Sequence, residues 1–161
     1  MCAVRYTIKG EPRWFVRGLV SVRIRGDETD GHLGMVEMIG PPGDEPPLHV
    51  HHTHEECFHV LEGDVTLHFP GGVSNRLGVG DTIVAPRGVP HTYRVGDDGA
   101  RWLLFCTPSG FEAFVAHLSR PADAPVLPAG GPPAPEEVAR LAAAAREYGI
   151  EILGPPGARP V

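Results

Sequence analysis

The residues best suited to chemistry lie in one histidine-rich segment. Six of the nine histidines fall between positions 49 and 68 of this 161-residue chain. His49 and His51 are two residues apart, so both imidazoles point to the same face of an extended strand. Glu56 follows after four intervening residues, which is enough chain for a turn that brings the next strand alongside. The segment therefore predicts two histidines and a carboxylate on facing strands.

A fourth candidate, His91, follows a predicted tight turn at residues 86–88. Three neutral imidazoles and one carboxylate that converge inside a sheet can bind a divalent transition-metal ion. Burying the same groups without an ion would carry a large desolvation cost. We therefore predict one metal site, with the histidine nitrogens about 2.0–2.2 Å from the ion, formed by His49, His51, Glu56 and His91. The alternative is that His49 and His51 are exposed on an edge strand and that His91 is an ordinary core histidine.

Short β-prone segments separated by turn signals must position these side chains. They run from Trp14 to Thr107, and the turns draw on 21 glycines and 18 prolines spread along the chain. Such a cadence is typical of an antiparallel sandwich or barrel. We predict one domain over residues 1–161, with a barrel from about 14 to 107.

Helical signals begin after the last predicted strand. Ser109 and Glu112 have the spacing of a capping box, which predicts a helix through about Ser119. A second amphipathic helix is predicted to start at Pro135 and to end before Gly149. We expect the second helix to act as a structural prop or a dimer contact, within a helical extension at about 109–150.

Two spaced motifs resemble those of the cupin superfamily. The first has the form Gly-x5-His-x-His-x4-Glu-x6-Gly and consists of Gly43, His49, His51, Glu56 and Gly63. The second has the form Gly-x5-Pro-x-Gly-x2-His and consists of Gly80, Pro86, Gly88 and His91. Val95 stands where the second motif often carries an asparagine. That asparagine is not a metal ligand, so the departure affects a local hydrogen bond rather than the metal site.

The resemblance implies an all-β fold, the cupin double-stranded β-helix or jelly-roll barrel, with short C-terminal helices. It also implies that His49, His51, Glu56 and His91 bind a metal ion inside the barrel. Strand alternation agrees: Phe58 shares the inward face of Glu56, and Tyr93 shares that of His91. Phe58 and Tyr93 are therefore predicted walls of a substrate pocket, with plain core packing as an equal alternative.

The other histidines receive separate predictions. We expect His52 and His54 to be exposed or to lie behind the metal ligands, with His54 as the substitute if Glu56 is not a ligand. His59 is predicted to face outward or into the second sheet. His32, His68 and His117 have no partner in the spacing and are taken as ordinary residues.

The whole layout resembles bacterial single-domain cupins related to quercetin 2,3-dioxygenase. It includes PPLHVHH, HVLEG, PRGVPH and the late segment REYGIEILGPP. The resemblance implies a metal-dependent dioxygenase that acts on an enolizable or phenolic aromatic small molecule, using Fe, Mn, Ni, Co, Cu or Zn. In this reaction Glu56 would be both a ligand and the base that takes the hydroxyl proton.

Two other functions remain open from the sequence. The same ion could act as a Lewis acid without dioxygen, in an isomerisation, cyclisation or dehydration of secondary metabolism. Alternatively, the protein could bind a small molecule without turnover. No basic helix-turn-helix that would read DNA is recognisable in the chain, which disfavours a sensor.

Composition excludes several partner classes. The formal net charge is −6 and Lys9 is the only lysine, so the chain has no electrostatic footprint for nucleic acid or anionic lipid. No apolar run approaches the roughly 18 residues that span a bilayer, and a cytoplasmic location is predicted. The unpaired spacing of Cys2, Cys57 and Cys106 predicts reduced thiols. The apolar segment Trp14-Phe15-Val16 favours a homodimer through an exposed edge.

Overall fold

Ten strands and two α-helices make up the computed structural model, which describes residues 10–161. Cys2 and Lys9 lie outside this range. The strands are β1 (Arg13–Phe15), β2 (Gly18–Ile24), β3 (Gly34–Gly40), β4 (Pro47–His51), β5 (Glu55–Phe69), β6 (Val73–Leu77), β7 (Thr82–Ala85), β8 (Thr92–Thr107), β9 (Arg120–Pro121) and β10 (Ile150–Pro156). The helices are α1 (Phe111–Leu118) and α2 (Pro135–Glu147), with 3-10 turns at Gly26–Glu28 and Pro70–Gly72.

Two long antiparallel strands, β5 and β8, are the spine of the barrel. The large sheet has the order β6-β5-β8-β3-β2-β1-β9, and β7 pairs with β5. A separate two-stranded sheet joins β4 to β10. All these pairings are antiparallel, as the fold prediction requires, and the all-β jelly-roll class is confirmed.

The predicted alternation along β5 is confirmed. Glu56, Phe58 and Val60 are buried, whereas the residues between them are only partly buried. Beyond Val60 the pairing with β8 shifts register, and Gly63 lies at the bend with a φ of +69°. A Cβ at Gly63 would collide with the backbone of Gly99, so only glycine fits this last position of the first motif.

The inner face of β8 continues the core. Val95, Trp102 and Leu104 are almost fully buried on it. Val95 is thus a core residue at the position where the motif often has asparagine. A buried amide there would need hydrogen-bond partners that an apolar core does not supply.

Both predicted helices are present, but the predicted cap of α1 is wrong. The N-cap residue is Gly110 rather than Ser109, and Ser109 makes no capping hydrogen bond. Instead, the buried carboxylate of Glu112 accepts the Gly110 N–H at 2.7 Å and the Gly26 N–H at 3.1 Å. Glu112 therefore ties the start of α1 to the turn after β2, which the local spacing alone does not reveal.

The prediction for α2 is confirmed at both ends. The helix starts at Pro135 and is followed by Gly149 with a φ of +71°. A glycine in this left-handed conformation commonly follows the last residue of a helix.

The apolar edge expected to form a dimer is covered within the chain at Trp14, whereas Val16 is exposed. Strand β1 pairs with β9 on that edge. The Arg120 guanidinium lies 4.4 Å from the centre of the Trp14 ring, and the indole N–H donates to the Val126 carbonyl at 2.8 Å. The homodimer therefore stays a prediction, without the exposed edge from which it was argued.

Two further predictions concern thiols and membranes. Cys57 and Cys106 are free thiols, as predicted. Neither helix among residues 10–161 has the length and apolar character needed to cross a membrane.

Candidate metal centre

Three pieces of chain bring the four predicted ligands together. Strand β4 carries His49 and His51, β5 carries Glu56, and His91 immediately precedes β8. Two backbone hydrogen bonds join His49 to His91, at 3.1 and 2.9 Å. One donor atom from each of the four residues lies within 4.8 Å of the other three, so the cluster is able to hold a metal ion.

Backbone carbonyls set the orientation of two of the imidazoles. The Nδ1–H of His49 donates to the Pro47 carbonyl at 2.7 Å, and that of His91 donates to the Val89 carbonyl at 3.0 Å. In both cases the acceptor lies two residues earlier in the chain. This arrangement leaves Nε2 of each ring for the centre of the cluster.

Glu56 is the buried anion at the centre. Its Oε2 lies 3.0 Å from Nε2 of both His51 and His91. Burial favours the neutral acid, but the two imidazoles outweigh burial and hold the pKa of Glu56 well below its usual value. Glu56 is therefore a carboxylate across the physiological pH range.

The histidines respond to this carboxylate differently. Burial lowers the pKa of His49 to about 3, helped by the neighbouring His91 and His51. Burial also lowers the pKa of His91, but the hydrogen bond and the charge of Glu56 outweigh burial and raise this pKa above its usual value. Without an ion, His91 is the imidazole that shares a proton with Glu56.

His51 shows whether these residues fit a metal ion. Its Nε2 is fully buried and makes no hydrogen bond, although Glu56 Oε2 lies 3.0 Å away. A buried polar atom left without a partner costs about 1–3 kcal/mol. A cation at the centre would accept this lone pair together with those of the other donors. Three nitrogens and one oxygen suit a transition-metal ion, so the residues fit.

A cavity of about 250 Å³ opens onto the cluster. His49, His51 and Glu56 reach it, and Phe58 and Tyr93 line it with their rings in an edge-to-face contact at 5.8 Å. Burial, together with Asp44 and Glu56, raises the pKa of the Tyr93 hydroxyl. Tyr93 therefore stays protonated and can donate a hydrogen bond into the cavity.

The helical extension lines the same cavity, which sequence reasoning missed. The contributing side chains from β1, α1 and α2 are Phe15, Phe111, Phe114, Val138 and Leu141. Helix α2, predicted to be a prop or a dimer contact, thus also supplies part of the cavity wall. The apolar spacing on the helices signalled a buried face, but it could not show that this face borders a cavity rather than solid core.

His54 and Glu55 have distinct environments beside the cluster. His54 is 1% exposed and its Nε2 lies 2.7 Å from His51 Nδ1, so it lies behind the ligands, one of the two placements predicted. Glu55 pairs with Arg87 at 2.9 Å at the surface and is not part of the cluster.

The remaining histidines lie away from the cluster. His52 is exposed and pairs with Glu151 at 2.8 Å, and His59 meets the Thr82 hydroxyl at 2.7 Å outside the barrel. Three more have no contact with the predicted ligands, as expected: His32, His68 and His117.

Comparisons with known proteins agree with this fold. Residues 36–106 match the family model described as Cupin domain. The quercetin 2,3-dioxygenase of Bacillus subtilis (strain 168) is 32% identical over 100 residues, which are 62% of this chain and 29% of that protein. The chain thus spans less than a third of the length of this curated relative.

Solved structures support the fold alone. The polyketide cyclase RemF from Streptomyces resistomycificus has a TM-score of 0.56 and 24% identity, over 65% of this chain and 79% of that one. An RmlC-like cupin from Shewanella frigidimarina has a TM-score of 0.55 and 19% identity, over 68% of this chain and 93% of that one.

Proposed function

Because residues 36–106 of this chain form a cupin domain, we propose that it is a metal-dependent, quercetinase-like dioxygenase. The substrate is an enolizable or phenolic aromatic small molecule. One observation carries the proposal: a cluster of three histidines and a glutamate able to hold a metal ion lies against an apolar, aromatic-walled cavity. The identity with a protein named quercetin 2,3-dioxygenase supports the reaction class.

The chain would hold the ion through His49, His51, Glu56 and His91. When bound, Fe, Mn, Ni, Co, Cu or Zn supplies a positive charge that stabilises a deprotonated substrate oxygen. The chain's own part is to keep the Nε2 lone pairs of the histidines directed at this point and to keep Glu56 ionised.

Glu56 would take the substrate proton on a carboxylate oxygen. Its pKa is held well below the usual value, which makes it a weak base. A weak base removes a proton efficiently only from an acidic hydroxyl, because proton transfer is fastest when the two pKa values are matched. This argues for a phenol or an enol rather than an alcohol.

The cavity would select the size and polarity of the substrate. At about 250 Å³ it lies just below the roughly 300–1,000 Å³ of pockets for drug-sized ligands. One or two aromatic rings would fill it. Phe58 would pack on the ring, and the Tyr93 hydroxyl would donate to a second substrate oxygen.

Oxygen uptake by metal-loaded protein tests the proposal. The protein is loaded separately with each of the six ions and offered single-ring, two-ring and flavonol phenols, while oxygen and substrate are followed together. Matched loss of oxygen and substrate is the expected result. Substrate loss without oxygen uptake would instead show a non-redox isomerase, cyclase or dehydratase. Ligand-induced stabilisation without any turnover would show a binding protein.

A further inference from the structure

We propose that His54 is a positioning residue that holds the metal ligand His51 through a histidine-to-histidine hydrogen bond. This inference rests on the metal site of the proposed function and adds a residue at an unspecified position of the first cupin motif. Nε2 of His54 lies 2.7 Å from Nδ1 of His51, and the ring centres are 4.5 Å apart. Both side chains are almost completely buried, so no bulk water competes for this bond.

The direction of the hydrogen bond follows from the other nitrogen of His51. Nε2 of His51 lies 3.0 Å from Glu56 Oε2, among the donor atoms of the ligand cluster. A metal ion held there takes the Nε2 lone pair, so a neutral His51 carries its proton on Nδ1. Nδ1 then donates to His54 Nε2, 2.7 Å away, and His54 favours this form of His51 before an ion binds.

His54 has a partner on its far side as well. Its Nδ1 lies 3.2 Å from the hydroxyl oxygen of Thr53, which is exposed. With Nε2 of His54 acting as acceptor, Nδ1 carries the proton and donates to this oxygen. Next to the ring is Gly110, where a Cβ would lie 3.7 Å from His54 Nδ1. The start of α1 thus lies beside the ring of His54.

This anchor differs from those of the other two histidine ligands. His49 and His91 donate to backbone carbonyls two residues earlier, which no substitution removes. His51 donates to an imidazole nitrogen, which is more basic than an amide oxygen and draws the Nδ1 proton more strongly. His51 therefore becomes the most electron-rich of the three imidazoles, and its position depends on a single side chain.

Two amide substitutions of different length test this role. His54→Gln places an amide oxygen near the position of Nε2 and keeps an acceptor for His51. His54→Asn carries the same amide one carbon shorter and cannot reach His51. His52→Asn is the matched control, because His52 is exposed and pairs only with Glu151.

The first measurement needs no metal. Nitrogen-15 NMR of the histidine rings reports which nitrogen of His51 carries the proton. We expect the Nδ1–H form in the wild type, in His54→Gln and in the His52→Asn control, and a mixture of both forms in His54→Asn. A purely structural role for His54 would not move this readout in a variant that stays folded.

The second measurement is the affinity for Co²⁺, by competition with a chelator, together with the visible spectrum of bound Co²⁺. We expect His54→Asn to bind about 10- to 100-fold more weakly, with an altered spectrum, as when an outer hydrogen-bond partner of a ligand is lost. His54→Gln should stay within about threefold of the wild type. Wild-type affinity in His54→Asn, or equal losses in both His54 variants, would overturn the positioning role. Absence of Co²⁺ binding by the wild-type protein would instead overturn the proposed metal site itself, and the positioning role with it.

Discussion

The ligand cluster, here called the floor, and the cavity wall from β1, α1 and α2, here called the rim, are built in different ways. The floor consists of His49, His51, Glu56 and His91 from three pieces of the barrel, and the first three of these line the cavity. The rim gathers side chains from β1, α1 and α2, which are far apart in sequence. The predicted metal ligands are therefore specified by short sequence motifs, whereas the walls that control access to them are specified by contacts between distant segments. Substitutions in the two regions should separate turnover and metal binding from substrate selection.

The largest effect is expected on the floor, for Glu56→Gln. The amide keeps the shape of the side chain but has no charge and no basicity. Three histidines should still retain some metal, while turnover falls by roughly 10²- to 10⁴-fold, as when a positioned base is lost. Metal content and turnover are measured on one preparation. Full activity at normal metal occupancy would move the search for the base to Tyr93 or His54.

Metal binding on the floor should depend on pH. Glu56 raises the pKa of His91 above its usual value, and the ion requires His91 without its Nε2 proton. Below that raised pKa His91 is protonated, so the affinity for the metal ion should increase about tenfold for each unit by which the pH rises. Above that pKa the affinity should level off. Calorimetry in buffers of different ionisation enthalpy should show release of about one proton. Affinity that is flat between pH 6 and 8 would contradict this proton assignment.

The rim should respond through the substrate rather than through the metal. Leu141→Ala removes part of the apolar wall that α2 contributes and so enlarges the cavity. Because Leu141 is only half-buried, we expect a loss of about 1–2 kcal/mol in the free energy of unfolding. KM for a single-ring phenol should rise by about tenfold or less while metal affinity stays unchanged. Arg146→Ala, on the exposed side of the same helix, is the control. A loss of metal affinity in Leu141→Ala would contradict the prediction that floor and rim affect metal binding and substrate selection separately.

The smallest effect is expected at the foot of α1. Because Glu112 rather than Ser109 satisfies the start of this helix, Ser109→Ala should change the free energy of unfolding by less than about 0.5 kcal/mol. Urea denaturation checks this value. A loss near the 1 kcal/mol typical of a true N-cap would restore the capping box predicted from the sequence.

The features that could be predicted from the sequence are those that depend on short spacings along the chain. The two-residue spacing of His49 and His51 and the alternation from Glu56 to Phe58 are local, and the structure brings these side chains together as expected. Their roles as ligands and as pocket walls stay predictions. Local spacing also places the ends of α2 correctly.

Features that depend on distant contacts could not be predicted. The spacing predicts a local cap for Glu112, because its contact with Gly26, 86 residues earlier, leaves no local pattern. The spacing likewise predicts a free edge at Trp14, because no nearby residue indicates its contact with Arg120. The burial of His54 likewise depends on the approach of α1, although its position beside the ligands gave a partial signal.

The pairing of β4 with β10 has a consequence for how the protein is made. His51 lies opposite Ile150, and His49 lies opposite Ile152, in this two-stranded sheet. During synthesis the ribosome produces β10 about a hundred residues after β4, so the strand that carries two ligands waits for its partner while most of the barrel can already form. The pairing that covers the edge of β4 therefore forms late, although all four predicted ligands are already in the chain by residue 91.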